Sequence, residues 1–93
     1  MKYEVKYSNN FQKSFKKLLK QDVELERDFK KVLDILIEGK KLPEKYRDHK
    51  LKGDLEGFYD FHLRHDLVVI RYYINIENKI IFHQIGTHSQ VFG

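Results

Sequence analysis

The chain opens with a strict alternation of residue types. In the segment KYEVKY, charged residues separate Tyr3, Val5 and Tyr7, and a period of two residues is typical of a strand with one buried face. Residues 8–10, Ser-Asn-Asn, belong to the types that favour the N-cap of a helix. The sequence therefore predicts a first strand over residues 2–7 and a helix directly after it.

Two helical stripes follow this strand. Apolar residues recur at the spacing of one helix face, first before and then after Asp22. The stripes consist of Phe11, Phe15, Leu18 and Leu19, and of Leu25, Phe29, Val32, Leu33 and Leu36. Asp22 is suited to cap the second helix, Gly39 to follow its last turn, and Pro43 prevents it from continuing. We expect two short helices that form a hairpin.

The second half changes from helical to strand-like patterns. Residues 42–57 contain a proline, two glycines and mixed charges, which indicate an ordered loop. Three strand-like runs, FYDFHL, LVVIRYYI and KIIFHQI, follow with short connections that are typical of an antiparallel meander. The order β-α-α-β-β-β predicts an α+β fold in which an N-terminal strand and a helical hairpin pack on an antiparallel sheet.

One face of this predicted sheet carries polar groups. Asp60 and His62 share a side of their strand, and Arg71 lies among apolar neighbours on the next strand. A polar side chain on a central strand costs free energy unless its surroundings are solvated or functional. We therefore expect the helices on one face of the sheet and an accessible, partly polar face opposite.

Composition narrows the class of protein. With 93 residues, of which 41% are hydrophobic, the chain has the size of a single domain spanning residues 1–93. It contains no apolar run long enough for a membrane span, and its first residues lack the apolar region of a signal peptide. The absence of cysteine excludes disulfides and thiolate zinc sites. The expected location is the cytoplasm.

Charge is distributed unevenly along the chain. Residues 1–46 carry the entire net charge of +4, whereas residues 47–93 are balanced but hold all five histidines. A basic half is consistent with solvated helix faces, and equally with a polyanionic partner. The histidine-rich half supplies groups that exchange protons near neutral pH.

Four residues of the second half have the chemistry of an acid–base site: His49, His62, Asp66 and His88. Cleavage of RNA through its 2′-hydroxyl needs a base for that hydroxyl, an acid for the leaving oxygen and cations for the phosphate. It demands no metal or cofactor. Asp66 is suited to orient one imidazole and favour its charged form. The nearby cations expected to contact RNA are Lys50, Lys52, Arg64 and Arg71.

These residues also have simpler interpretations: a surface histidine, a structural strand histidine, a turn aspartate and a histidine in a fraying tail. A zinc site formed by all four is a further alternative, although the chain has no closely spaced pair of histidines in a metal-binding motif. Asp60 is also suited to an ion pair with Arg71. His65 and His83 are expected to be structural or exposed.

The segment GTHSQVF near residue 93 has two compatible interpretations. Chain ends are poorly ordered unless something holds them. A strand end here closes the core with Phe92 as an apolar plug, or the segment delivers His88 to a site. Anchoring by Phe92 permits both.

The second half closely resembles the YafQ branch of the RelE-like toxins of bacterial toxin–antitoxin systems. That branch shows D-H-x-L-x-G, then G-[YF]-x-D-x-H, an aspartate four residues later, and G-[TS]-H-x-x-[LV]-F. The matching residues are Asp48, His49, Leu51, Gly53, Gly57, Phe58, Asp60, His62, Asp66, Gly86, Thr87, His88, Val91 and Phe92. The first half is similar only in its helical hairpin.

The resemblance implies a RelE-like fold and a function. Such toxins are ribosome-dependent endoribonucleases that cut messenger RNA and arrest translation, and a cognate antitoxin inhibits them. The expected partners are therefore an antitoxin, the ribosome with its RNA, and messenger RNA, with no membrane. The resemblance implies that His49, His62, Asp66 and His88 are catalytic, with His88 as proton donor. It implies that Asp60 and Phe92 support the site.

Gln84 departs from this pattern, because the family often has an arginine at the corresponding position. Glutamine donates hydrogen bonds but carries no charge, so it stabilises a charged transition state less. Arg71 is expected to compensate if it points to the same face. The alternative is a catalytically weak or inactive module that binds RNA or an antitoxin.

Overall fold

The computed structural model describes residues 2–93 and contains a five-stranded sheet with three helices. The elements are β1 (Glu4–Tyr7), α1 (Asn9–Gln21), α2 (Leu25–Ile37), β2 (His49–Lys50), β3 (Phe58–Arg64), β4 (Leu67–Ile74), β5 (Lys79–Gly86) and α3 (His88–Phe92). Single turns of 3-10 helix lie at Glu44–Tyr46, Gly53–Leu55 and Asn75–Glu77. The predicted α+β order is confirmed.

The start of α1 is fixed from two directions. The Phe11 amide donates to the Ser8 hydroxyl oxygen over 3.0 Å, as the capping pattern predicts. The same hydroxyl donates to the His83 carbonyl over 2.6 Å and so ties the helix to β5. Asp22 instead ends α1, and its carboxylate accepts from the Glu24 amide before α2 begins. The expectation that Asp22 is the N-cap of α2 is corrected by this geometry.

The sheet has the strand order β1-β5-β4-β3-β2. β3, β4 and β5 form the predicted antiparallel meander. β1 pairs with β5 in parallel, and β2 pairs with β3 in antiparallel orientation. β2 lies in the segment expected to be a loop, because a strand of two residues shows no periodicity that the sequence could reveal.

The helices cover one face of the sheet and enclose an aromatic core. Phe11 of α1, Phe29 of α2 and Phe82 of β5 are each at most 5% exposed. Their ring centroids lie 5.1–5.7 Å apart in tilted or edge-on arrangements, which aromatic pairs prefer. Truncation of such a ring to alanine typically costs about 3–5 kcal/mol. The helical stripes predicted from the sequence supply this core.

A β-bulge changes the spacing of β5 on the opposite face. Ile70 pairs with Gln84 and Arg71 with Phe82, so His83 is an additional residue. Phe82 and Ile85 are buried in the core although three positions apart, and the two residues between them are half-buried. The bulge therefore places His83 and Gln84 together outside the helix-covered core.

The chain continues after β5 as the short helix α3, which packs against β4 and β5. Thr87 and Gln90 form a reciprocal capping box, with bonds of 2.9 and 3.2 Å. Gly86 permits the Gln90 side chain to approach the backbone at the end of β5, because a Cβ atom on residue 86 would lie 2.8 Å from Gln90 Oε1. The tail is thus a docked helix. Phe92 is half-buried and contacts His88.

Within residues 2–93, no helix has the length and apolar character needed to cross a membrane.

Candidate active site

A row of residues crosses the face of the sheet opposite α1 and α2, and Asp60 and Ile70 within it are buried. His49 of β2 pairs with Asp60 of β3, Asp60 with Ile70 of β4, and Ile70 with Gln84 of β5. Paired residues of neighbouring strands point to the same face. The register therefore places one of the predicted acid–base groups, the predicted supporting residue Asp60 and the atypical glutamine on one line, with about 10 Å between Asp60 and Gln84.

His49 is held at one ring nitrogen by two oxygens. Its Nδ1 lies 2.9 Å from the Arg47 carbonyl oxygen and 3.0 Å from Asp60 Oδ1. The Nδ1–H group of His49 points toward the Arg47 carbonyl oxygen and donates to it. Within the described chain, Asp60 Oδ1 therefore has no hydrogen-bond partner. Because more than half of the side chain is exposed, Nε2 is the nitrogen that can exchange protons with a ligand.

Asp60 is the centre of the site. It is 3% exposed, and burial raises the pKa of its carboxyl group, while His49, His62 and His88 oppose that rise and Asp48 adds to it. Three imidazoles thus act electrostatically on one buried carboxylate.

His62 follows Asp60 on the same face of β3 and borders a groove of about 500 Å³. The basic residues along this groove are Lys31, Lys45, Arg47, Arg64 and His65. Among residues 2–93, neither Lys31, Lys45 nor Arg47 takes part in a salt bridge. The groove therefore has unpaired positive charge next to one of the predicted site histidines.

Asp66 contacts the site through a hydrogen bond to the backbone of His88. It occupies the left-handed region in the β3–β4 turn, with φ 52°. Its Oδ1 accepts from the backbone amide of His88 over 3.2 Å. In this structure the carboxylate anchors the first residue of α3, and the expected role in orienting an imidazole stays a prediction. The His88 ring packs against Phe92, with 4.8 Å between centroids.

Two of the four expected RNA-binding cations are engaged elsewhere. Arg64 pairs with Asp22 and, over 2.8 Å from Nε, with Asp28 of α2. Arg71 is 2% exposed on the helix-covered side and pairs with Asp48. RNA binding by Arg64 and Arg71 stays a prediction, and in this structure both arginines pair with carboxylates. These contacts exclude Arg71 as a replacement for the charge absent at Gln84, and as the ion-pair partner of Asp60.

The other two cations remain accessible. Lys50 and Lys52 are exposed and line a second groove, of about 900 Å³, on the side of β2 away from His62. Lys50 lies 5.9 Å from the Tyr59 ring centroid. The cations beside His62 were missed, because Lys31, Lys45 and Arg47 have no distinguishing spacing in a lysine-rich sequence.

The remaining histidines behave differently from the site histidines. His83 packs on Phe58 and Tyr72, with ring centroids 5.2 and 6.4 Å away. His65 lies exposed in the β3–β4 turn. Within the described residues, no group of three or more histidine, aspartate or glutamate side chains is arranged to hold a metal ion.

This fold is that of the toxins of bacterial type II toxin–antitoxin systems. The family described as "Bacterial toxin of type II toxin-antitoxin system, YafQ" matches residues 3–93. The chain belongs to the YafQ family.

Three relatives illustrate the similarity. The mRNA interferase toxin YafQ of Escherichia coli K12 is 30% identical over 91 residues, covering 97% of this chain and 96% of the relative. A metal-bound toxin from Helicobacter pylori has a TM-score of 0.89 and 33% identity, covering 97% of this chain and 99% of that one. The toxin in the E. coli DinJ–YafQ complex has a TM-score of 0.81 and 28% identity, covering 98% and 99%.

Proposed function

We propose that this chain is an endoribonuclease that cleaves messenger RNA at the ribosome in the cytoplasm, with residues 1–93 acting as one domain. The observation that supports this most directly is the approach of His49 Nδ1 to buried Asp60 at 3.0 Å, next to His62 two residues further along the same face of β3. The name of the E. coli relative, an mRNA interferase toxin, supports the same substrate.

The reaction proposed is attack of the RNA 2′-hydroxyl on the adjacent phosphorus. One imidazole takes the hydroxyl proton, and another gives a proton to the leaving 5′-oxygen. The products are a 2′,3′-cyclic phosphate and a 5′-hydroxyl. His88 is the proposed acid, and His49 is the base because its exposed Nε2 is free to accept a proton. His62 and the buried Asp60 stabilise the charges that develop between His49 and His88 during the reaction.

Metal independence is part of this proposal. Two imidazoles supply both proton transfers, so the chemistry needs no metal-bound hydroxide. Since a similar H. pylori toxin has been solved with metal bound, we expect added transition metal ions to inhibit by coordinating the imidazoles. Cleavage should persist in the presence of a chelator, and its loss on chelation would contradict this part.

Phosphate binding is proposed for the groove beside His62. Lys31, Lys45 and Arg47 supply positive charge there for the phosphates of the RNA backbone. The lysines of α1, Lys13, Lys16, Lys17 and Lys20, remain for ribosomal RNA, where each phosphate contact adds salt-dependent affinity. Lys50 and Lys52 extend this positive surface beyond His49.

The proposed function is tested with programmed ribosomes and His88→Ala. We expect loss of the acid to lower the cleavage rate about 10²–10⁴-fold, measured by primer extension on the ribosome-bound message. His83→Phe is the matched control, because it removes a histidine on the same face while keeping its ring packing. Uncut message with the wild type, or equal cleavage by His88→Ala, would contradict the proposal.

A cognate antitoxin is the proposed partner, as in the DinJ–YafQ complex of E. coli. Opposite charge favours an acidic segment that folds on the basic surface of the helices and the groove. Its binding should suppress cleavage and weaken with salt. A complex in which the antitoxin contacts neither surface would contradict this placement.

The second candidate function is a module that binds RNA or antitoxin with little catalysis, and Gln84 is the observation that favours it. Gln84 lies at the end of the row that begins with His49. If the missing charge limits catalysis, Gln84→Arg should raise the cleavage rate about tenfold or more. A rate that remains at background in both proteins, with antitoxin binding intact, would favour the binding module.

A further inference from the structure

The segment that carries His49 is too short to fix its own position. β2 consists of His49 and Lys50, both exposed, and pairs with two residues of β3. Arg47, two residues before β2, lies in the left-handed region with a φ of 51°. After Lys50 the chain continues into an exposed loop. Even a complete two-stranded hairpin is only marginally stable in water. Another contact must hold His49 against Asp60.

A partly buried ion pair on the opposite face of the sheet supplies that contact. Arg71 of β4 donates from Nη1 and Nη2 to the two oxygens of Asp48, over 2.8 and 3.0 Å. Its Nε donates to the Tyr73 hydroxyl over 3.0 Å. Its guanidinium carbon lies 5.0 Å from the Tyr59 ring and 5.7 Å from the Phe61 ring.

The connection spans three strands. β3 lies between β4 and β2, and two of the three aromatic rings against the guanidinium, Tyr59 and Phe61, belong to β3. The Arg71 side chain therefore passes beneath β3 and ties β4 to the residue directly before β2. A two-point bond between planar groups restricts direction as well as distance.

We propose that Asp48 and Arg71 are positioning residues for His49. Successive residues of an extended segment point to opposite faces, so a carboxylate fixed beneath the sheet sets the imidazole of the next residue above it. Stability alone does not require the pair, because apolar side chains of similar size replace many buried ion pairs without loss. This inference rests on the proposed RNA cleavage, in which His49 is the base.

The test uses the apolar double variant Asp48→Leu/Arg71→Met, which removes both charges together. We expect its thermal stability to stay close to that of the wild type. The Leu51 amide, which donates to the Phe58 carbonyl over 2.8 Å just after β2, should exchange at least tenfold faster. The kcat for ribosomal cleavage should fall about 10–100-fold, the effect of displacing a reacting group by about 1 Å. KM should change less than threefold.

Glu77→Gln, which breaks the exposed Lys79–Glu77 pair, is the control and should change none of these values. A stable double variant with wild-type kcat and wild-type Leu51 exchange would overturn the proposal, since the pair would then serve stability alone. If the double variant does not fold, Asp48→Asn decides. It keeps the shape of Asp48 but loses one charge-assisted bond, and unchanged kcat and Leu51 exchange would overturn the proposal.

The outcome is separable from that of the proposed function. Cleavage by the wild type tests the function, whereas Leu51 exchange reports the position of β2 without any substrate. If the wild type cuts no message, the proposed function fails. Faster Leu51 exchange in the double variant would then still support anchoring of β2 by the ion pair, and unchanged exchange would overturn it.

Discussion

Asp60 shows how single residues of this site oppose stability. A carboxylate that is 3% exposed, with one oxygen lacking a hydrogen bond in the described residues, is costly to keep ionised. Its neighbours are imidazoles that stabilise its charge only while they are themselves charged. The residue is therefore better suited to a role in the site than to strengthening the fold.

Asp60→Asn should stabilise the protein at neutral pH and impair its activity. Burial raises the pKa of Asp60 above its ordinary value of 3.8, so the native state binds this proton more tightly than the unfolded state does. Stability from this group declines as pH rises from 3.8 through the raised native value. The variant should gain about 1 kcal/mol at pH 7 and lose that gain as pH falls to 3.8.

Urea denaturation of both proteins across this pH range measures the gain. Asp54→Asn, which changes an exposed carboxylate, is the control and should have no such pH dependence. A less stable Asp60→Asn variant at pH 7 would show that the charged imidazoles outweigh the cost of burial.

At the scale of elements, α3 has no independent stability. A helix of five residues lies far below the length at which isolated helices form. It is held by its capping box, by the Asp66 carboxylate at its first amide and by its packing on β4 and β5. His88 is its first residue, so the position of the proposed acid depends on contacts with other elements.

Gly86→Ala should disrupt the capping box, although residue 86 is not itself part of it. The added Cβ would lie 2.8 Å from Gln90 Oε1, so the glutamine must leave its bond to the Thr87 amide. We expect a loss of about 0.5–2 kcal/mol, as for a lost cap, together with faster proteolysis at α3 and a several-fold lower cleavage rate. Gln90→Ala should have the same effect.

The two changes should not add in one protein, because both remove the same bonds. Unfolding free energies of the single and double variants measure this coupling. Fully additive losses would show that Gly86 acts through some other contact.

Sequence periodicity predicted the elements that are long enough to show it. α1, α2 and the meander of β3, β4 and β5 follow from apolar spacing, and most of the core follows with them. β2, α3 and the bulge at His83 occupy too few residues to form a pattern. The site residues came from the resemblance and from proton chemistry, and their grouping around Asp60 depends on register, which the sequence does not display.

Contacts between residues far apart in the sequence also could not be predicted from the sequence. Arg71 and Asp48 are 23 positions apart, and Arg64 meets Asp28 across 36. A charged residue in a strand is equally consistent with an exposed ligand contact and with a buried pair. The structure alone distinguishes these cases.

Over the whole molecule, charge and proton chemistry come from different halves of the chain and meet at the groove beside His62. Lys31 belongs to α2, Lys45 and Arg47 to the connection before β2, and His62 to β3. The net charge of the first half thus acts where the histidines of the second half lie. This arrangement suits a polyanion whose backbone follows the groove.

The double variant Lys31→Gln/Lys45→Gln should weaken RNA binding and leave the rate of the chemical step nearly unchanged. We expect KM to rise and the dependence of log KM on log salt to become shallower by about one or two, the loss of one or two phosphate contacts. kcat should change little. Steady-state cleavage between low and physiological salt measures this, and Lys79→Gln, which alters a lysine paired with Glu77, is the control. A salt slope equal to that of the wild type would exclude the groove as the RNA path.

The parallel pairing of β1 with β5 has a consequence for synthesis of the protein. The first strand is translated early but has no partner until residues 79–82 emerge, and His88 emerges later still. Helices α1 and α2 can form on the nascent chain, whereas the sheet and the histidine cluster cannot. On the proposed function, a nascent chain is therefore unable to attack the message that encodes it, and activity begins only after the segment through α3 has left the ribosome.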